Sequence, residues 1–106
     1  MRVYYYKTIN GDEPCHRWLR SIPDDRLRSI IRKPLRRVEL GNIGDSRSIS
    51  HGVFELRIHE GPGFRIYFGR SSADEIILLL GGQKKSQRSD ILKSQFYWED
   101  HRRRYK

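Results

Sequence analysis

Between Phe54 and Phe68 the chain alternates oily and polar residues, with Phe54, Leu56 and Ile58 before a Gly-Pro-Gly turn and Phe64, Ile66 and Phe68 after it. Period two marks half-buried strands, and it predicts strands over about 52–60 and 64–70. The run EIILLLGG then predicts a third strand over 75–81, apolar on both faces and therefore central. At the start of the chain, RVYYYKTI (2–9) is β-branched and aromatic and predicts a further strand. Between these segments the period becomes helical: Cys15, Trp18, Leu19 and Ile22 form one stripe, and Leu27, Ile30, Ile31, Leu35 and Val38 form another. Asp12 is placed to cap the first helix, with Glu13 and Pro14 in its first turn, while Pro23-Asp24-Asp25 ends it and caps the second. Gly41 supplies the second stop, and Pro34, inside the pattern, predicts a kink or a break into two short helices. GNIGDSRSIS (41–50) reads as a loop. From Ser86 or Ser89 onward a last helix is expected, with Ile91, Leu92, Phe96 and Trp98 on its packing side and a basic tail, His101 to Lys106, behind them. The order β-α-α-β-β-β-α describes an α+β fold, a small antiparallel sheet with an N-terminal helical hairpin on one face and a C-terminal helix. Residues 1–106 are expected to form a single domain.

The polar face of the hairpin carries the chemistry. Directly opposed residues share a face, and both oily sets are even-numbered, so the hairpin loop holds an odd number of residues. A three-residue loop (61–63) sets His59 opposite Arg65 and Arg57 opposite Tyr67. A five-residue loop (59–63) sets Arg57 opposite Arg65. In either register Arg57, Arg65 and Tyr67 share one face, with Lys84 and Lys85 arriving from the end of the central strand and Glu55 the only carboxylate among them. Such a face is either an ordinary wet sheet surface or a cationic, aromatic-bearing concavity suited to phosphate. On the solvent-facing reading, replacing Arg65 leaves the fold intact.

Charge sharpens the choice. A net charge of +9 and a pI near 10.1 point first to nucleic acid as partner and second to an acidic protein. A membrane surface fits poorly, because no long helix pairs a basic face with a strongly lipid-seeking one. The cations Arg26, Arg28, Arg32, Lys33, Arg36 and Arg37 on the second helix read as a solvated face. Cys15 is the only cysteine, so no internal disulfide can form, which fits a reducing compartment. MRVYYYKTIN lacks the apolar core of a signal peptide and Ile76–Leu80 is far too short to span a bilayer, so a soluble, cytoplasmic protein is expected. His16, His51, His59 and His101 show no metal-ligand spacing, and neither metal nor cofactor is expected. The glycines around Pro62 make a turn and not a phosphate loop, since no helix follows. Trp18 and Trp98 read as packing residues.

Taken together, GVFELRIHEGPGFRIYFGR, ILLLGGQKKSQRSDI, FYWEDHRRR and the GNIGD loop resemble the HigB-like addiction-module killer proteins of the RelE/ParE toxin superfamily over nearly the whole chain. The resemblance implies the toxin of a type II toxin–antitoxin module, held inactive by a small helix-turn-helix antitoxin encoded beside it. It also implies a metal-independent endoribonuclease that cuts messenger RNA on the ribosome. Arg65 falls on the family's phosphate-binding arginine, Arg57 on a basic position of the preceding strand, and Lys84 on the basic residue beyond the last strand. Beside these, His59 is a candidate general acid or base and Tyr97 a candidate for proton transfer or base stacking, with Tyr67, Lys85, Arg88, Arg102, Arg103 and Arg104 as the wider nucleic-acid surface. Two departures stand out: nuclease members carry a tyrosine early in the last helix, where this chain has Asp90 or Ile91, and Glu55 stands where some relatives have a second basic residue. A ParE-like toxin that binds DNA gyrase without catalysis, and a plain RNA-binding module, are the other readings.

Overall fold

The computed structural model describes residues 1–105. Strand β1 (Arg2–Tyr5) leads into helices α1 (Pro14–Ser21) and α2 (Asp25–Glu39), followed by β2 (Ser46–Ser48), β3 (Val53–Arg57), β4 (Phe64–Ser72), β5 (Glu75–Gln83) and helix α3 (Gln87–Arg104). The strands form one sheet in the order β1-β5-β4-β3-β2. Neighbours are antiparallel except β1, which lies parallel to β5, so the α+β architecture carries a mixed sheet where an antiparallel one was expected. β4 is the middle strand; β5, expected to be central, lies second from the edge between β1 and β4, and as an interior strand it is buried on both faces. Its Ile76 and Leu78 enter the core under α1 and α2, and its Ile77 and Leu79 enter the core under α3.

The even-numbered residues Leu56, Ile58, Phe64, Ile66 and Phe68 pack against the helical hairpin, around buried Ile31 and Val38 of α2. The odd-numbered face carries Val53 and Tyr67 and is covered by α3 through Trp98. Strand glycines set these distances. A side chain at Gly81 would come within 2.1 Å of Trp18, and one at Gly69 within 2.3 Å of Trp98, so each indole lies directly on the backbone of a strand.

Several local expectations change. The segment read as a loop contains β2, which pairs Ser46, Arg47 and Ser48 with Leu56, Glu55 and Phe54. Three residues of polar composition carry no period, and only pairing with β3 makes them a strand. β1 ends at Tyr5, paired with Leu78, just before the point where β5 departs from its register with β4. α2 runs unbroken through Pro34, because Ile31 and Val38 on either side are held in the core. Its end is the expected glycine stop: Gly41 has φ +94°, with Gly41 N–H on Val38 O and Asn42 N–H on Arg37 O. Asp24 caps α2 as expected, but Asp12 does not cap α1. Glu13 takes that position, and the Asp12 carboxylate instead pairs with Arg17 at 2.7 Å. On α3, Leu92 and Phe96 are 65% and 64% exposed, and the inward positions belong to Asp90, Ser94 and Trp98. Lys106 of the expected basic tail lies outside the described residues.

Candidate nucleic-acid interface

The five-residue loop is the one that forms: Arg57 pairs with Arg65, Glu55 with Tyr67, and Ile58 N–H bonds Phe64 O across the hairpin end. Two guanidiniums therefore stand side by side on rigid strands. Each is answered by a different carboxylate.

Glu55 is fully buried beneath the start of α3, and Arg47, its partner on β2, reaches it from the strand edge with Nε 3.1 Å from Oε1. Gln87, in the first turn of α3, donates to Oε2 at 2.8 Å, and Arg65 Nε lies 3.7 Å from the same oxygen. Arg65 also donates through Nη1 to Gly63 O at 3.1 Å, so its head folds back against its own turn with the side chain only 12% exposed. The expectation of a solvent-facing Arg65 that can be replaced freely is thereby corrected. The Arg65 charge balances a carboxylate that is itself fully buried.

Tyr67 is likewise not a surface ring. It is fully buried between Glu55 and the α3 side, so it offers no face on which a base could stack. Its hydroxyl makes no hydrogen bond of acceptable geometry, yet burial first and the neighbouring Glu55 carboxylate second push its pKa above the ordinary phenol value. Next to it, a side chain at Gly82 would approach Asp90 Oδ2 to 2.0 Å, and Asp90 accepts from Ser86 Oγ at 2.6 Å. Asp90, in the first turn of α3, is thus a buried carboxylate.

On the outer side of the pair, Asp45 meets both Arg57 and His59. His59 Nε2 lies 2.5 Å from Asp45 Oδ2, and Arg57 Nε lies 3.5 Å from the same atom. The His59 contact foremost, with Arg57 adding to it, holds the Asp45 carboxyl below its usual pKa. Arg57, His59 and Asp45 open onto a cleft of about 290 Å³, which Lys33 and Arg37 of α2 also line. Arg65 and Lys84 do not line that cleft.

Lys84 begins a short 3₁₀ turn, Lys84–Ser86, directly after Gln83, whose partner is Phe64 beside Arg65. Lys84, Lys85 and Arg88 are exposed and make no ion pair among the described residues. The fold therefore gathers Arg57, Arg65, His59 and the Lys84 turn at one end of the sheet. Tyr97 is not there: it stacks on Tyr6 at 5.0 Å, ten residues along α3 from Gln87 and so about 15 Å away. Arg102, Arg103 and Arg104 lie further still. Arg102 and Arg103 are exposed, whereas Arg104 is tied to Asp100 at 2.9 Å and to Lys7 O. Sequence reasoning missed Arg47, Asp45 and Gln87. Arg47 and Asp45 sit in a stretch whose composition reads as loop, and only the facing Glu55 and His59 give them a role. No described helix is long and apolar enough to cross a membrane.

A small α+β protein with a mixed sheet between a helical hairpin and a closing helix, and with cations clustered at one sheet end, fits the compact toxins of toxin–antitoxin modules. Residues 17–95 match the family described as Phage derived protein Gp49-like (DUF891), and the chain belongs to that family, which is associated with toxin–antitoxin modules. A protein of Haemophilus influenzae (strain ATCC 51907 / DSM 11121 / KW20 / Rd), described as "Uncharacterized protein", is 40% identical over 74 residues, 70% of this chain and 75% of that relative. Membership brings with it a cognate antitoxin as partner.

Proposed function

We propose that this chain is a HigB-like toxin of the RelE/ParE superfamily that cleaves messenger RNA on the ribosome without a metal. The observation that carries this reading is the cross-strand pair Arg57–Arg65, beside the unpaired Lys84, with His59 held by Asp45 next to Arg57. In such a cleavage the 2′-oxygen attacks the adjacent phosphorus, the bond to the 5′-oxygen breaks, and a 2′,3′-cyclic phosphate and a 5′-hydroxyl result. One group removes the 2′-proton, another protonates the leaving oxygen, and cations offset the charge that grows on the phosphoryl oxygens. Arg57, Arg65 and Lys84 are suited to the last task, Arg65 with its planar fork. His59 is held beside Arg57 by their shared Asp45, and an imidazole at that place can take or give a proton in the cleavage. Tyr97 stands too far along α3 to share that task in this arrangement.

The single domain, the cytoplasmic location, the helix-turn-helix antitoxin and the ribosome belong to the same proposal. Expression of the free chain in bacteria should arrest growth, co-expression of the neighbouring small protein should relieve it, and ribosome-bound messenger should be cut. Intact messenger in arrested cells, with loss of gyrase supercoiling, would instead establish the gyrase-binding reading. Asp90 or Ile91 in the place of the early tyrosine is the observation on that side.

A further inference from the structure

A second surface lies at the opposite edge of the sheet, between β1 and the last turns of α3. It is a groove of about 990 Å³. Its aromatic wall is a ladder rooted in the core: buried Trp98 stacks on His101 at 5.5 Å, and His101 meets Tyr105 at 4.7 Å. The ladder ends in water, with Tyr105 65% exposed, and across the groove Tyr4 of β1 is 48% exposed and stacks on no other ring among the described residues. Burial first and the Arg104 charge second lower the His101 pKa, so this ring stays neutral and stacks without a charge of its own at pH 7.

Charge along the groove is unequal in its availability. Its two carboxylates are engaged: Glu75 with Arg2 at 3.5 Å and with the Ser71 hydroxyl, and Glu13 with His16 at 3.4 Å. Lys7 and Arg102 line the same groove, are exposed, and make no ion pair among the described residues. Exposed aromatic rings interleaved with unpaired cations are what a single strand needs, because every base has a face to stack and every linkage a phosphate to neutralise. Tyr4 has no ring partner among the described residues, while Tyr105, though 65% exposed, already has His101 at 4.7 Å and the Arg104 guanidinium 5.6 Å from its ring. We infer that this groove binds single-stranded RNA, stacking bases on Tyr4 and Tyr105 and holding phosphates with Lys7 and Arg102. α3 separates it from the Arg57–Arg65 end by the run from Gln87 to Arg104, about 25 Å, so one strand could engage both ends of the molecule. The inference rests on the ribonuclease reading only in choosing RNA over DNA.

The test is anisotropy of a labelled oligouridine strand, alongside the same-length deoxy strand and a base-free polyphosphate. The Tyr4→Ala/Tyr105→Ala variant should bind the oligouridine about tenfold more weakly or worse, while polyphosphate binding stays unchanged. Lys7→Ala and Arg102→Ala should each reduce the dependence of log affinity on log salt by roughly 0.7. Tyr4→Phe/Tyr105→Phe retains the rings and should bind normally, which separates loss of stacking from loss of fold. A strand carrying 5-iodouridine should crosslink to Tyr4 or Tyr105 under ultraviolet light, in the wild type and in Arg65→Lys alike. Equal affinity of wild type and double alanine variant, or crosslinks confined to the Arg57–Arg65 end, would overturn the inference. The readout is binding, so it stands or falls separately from cleavage. Tighter binding of the deoxy strand would keep the groove but remove RNA from it, and so refute the proposal as stated.

Discussion

Replacing Arg65 by alanine removes one cation of the Arg57–Arg65 pair, proposed above to hold phosphate, and also strips a partner from buried Glu55. Breaking a buried ion pair from one side costs about 3–5 kcal/mol when the other charge is left alone. Glu55 is not left alone, since Arg47 at 3.1 Å and Gln87 at 2.8 Å still reach it, and the Arg65 contact of 3.7 Å is an ion pair without a hydrogen bond. A loss of about 2 kcal/mol follows, below the full range because two donors remain. In a domain of this length that lowers Tm by roughly 10 °C. Arg65→Lys, which keeps a charge near Glu55, should lose much less stability yet lose most cleavage, because an ammonium cannot hold two phosphoryl oxygens in one plane. The decisive variant is Glu55→Gln in the Arg65→Ala background. It neutralises the stranded carboxylate, so it should recover most of the lost Tm while cleavage of ribosome-bound messenger stays absent. Melting curves and primer extension on the four proteins measure both quantities. An Arg65→Ala protein that melts within about 2 °C of wild type would refute the burial argument. A double variant that regains cleavage would show that Arg65 acts only by balancing Glu55.

Gly82→Ala should destabilise the fold by about 2 kcal/mol, read by denaturant melts, because the new Cβ meets the buried Asp90 carboxylate at 2.0 Å, and that side chain must shift and give up its place beside Ser86. Tyr6 donates to Asp100 at 2.6 Å, which is the main reason the Asp100 carboxyl titrates below its ordinary value. Because the folded pKa is the lower one, this stabilisation is fully present above about pH 4 and is lost as pH falls through the folded value. Tyr6→Phe should therefore be less stable than wild type at neutral pH, and the gap in melting temperature should close in acid. RNA affinity should fall steeply with salt, and Arg103→Ala, exposed on the last turn of α3, should weaken binding modestly without stopping cleavage. A flat salt response would assign the basic surface to the antitoxin.

Period and punctuation made much of this fold legible. The even-numbered apolar set of the hairpin, the buried Cys15 of α1 with Ile22 just after its end, and the Gly41 stop all lie where local rules place them, because each depends on neighbours within a few residues. β2 was illegible for the opposite reason, since Ser46–Ser48 become a strand only by pairing with β3. α3 misled in a third way. Leu92 and Phe96 are as oily as Ile91 and Trp98, so composition could not tell the inward face from the outward one. Small polar residues, Ser94 above all, take the inward places where helix and sheet approach closely. The same limit applied to the site: alternation put Arg57, Arg65 and Tyr67 on one face, but it could not say that α3 would roof part of that face.

That roof changes what the site is. Left open, two arginines side by side would repel each other and move freely, and a phosphate would have to order them on arrival. Here Glu55 and Asp45 take up that repulsion in the absence of any ligand, one from beneath and one from the side. Burying Glu55 is unfavourable by itself, and its contacts show what it holds in return: Arg47 of β2, Arg65 of β4 and Gln87 of α3 meet on one carboxylate. A residue that joins the edge strand, the hairpin and the closing helix fixes the direction of Arg65 before any substrate is present. On that view the carboxylate among the cations is compatible with phosphate chemistry, because a guanidinium already positioned has less ordering left to lose when the scissile phosphate binds.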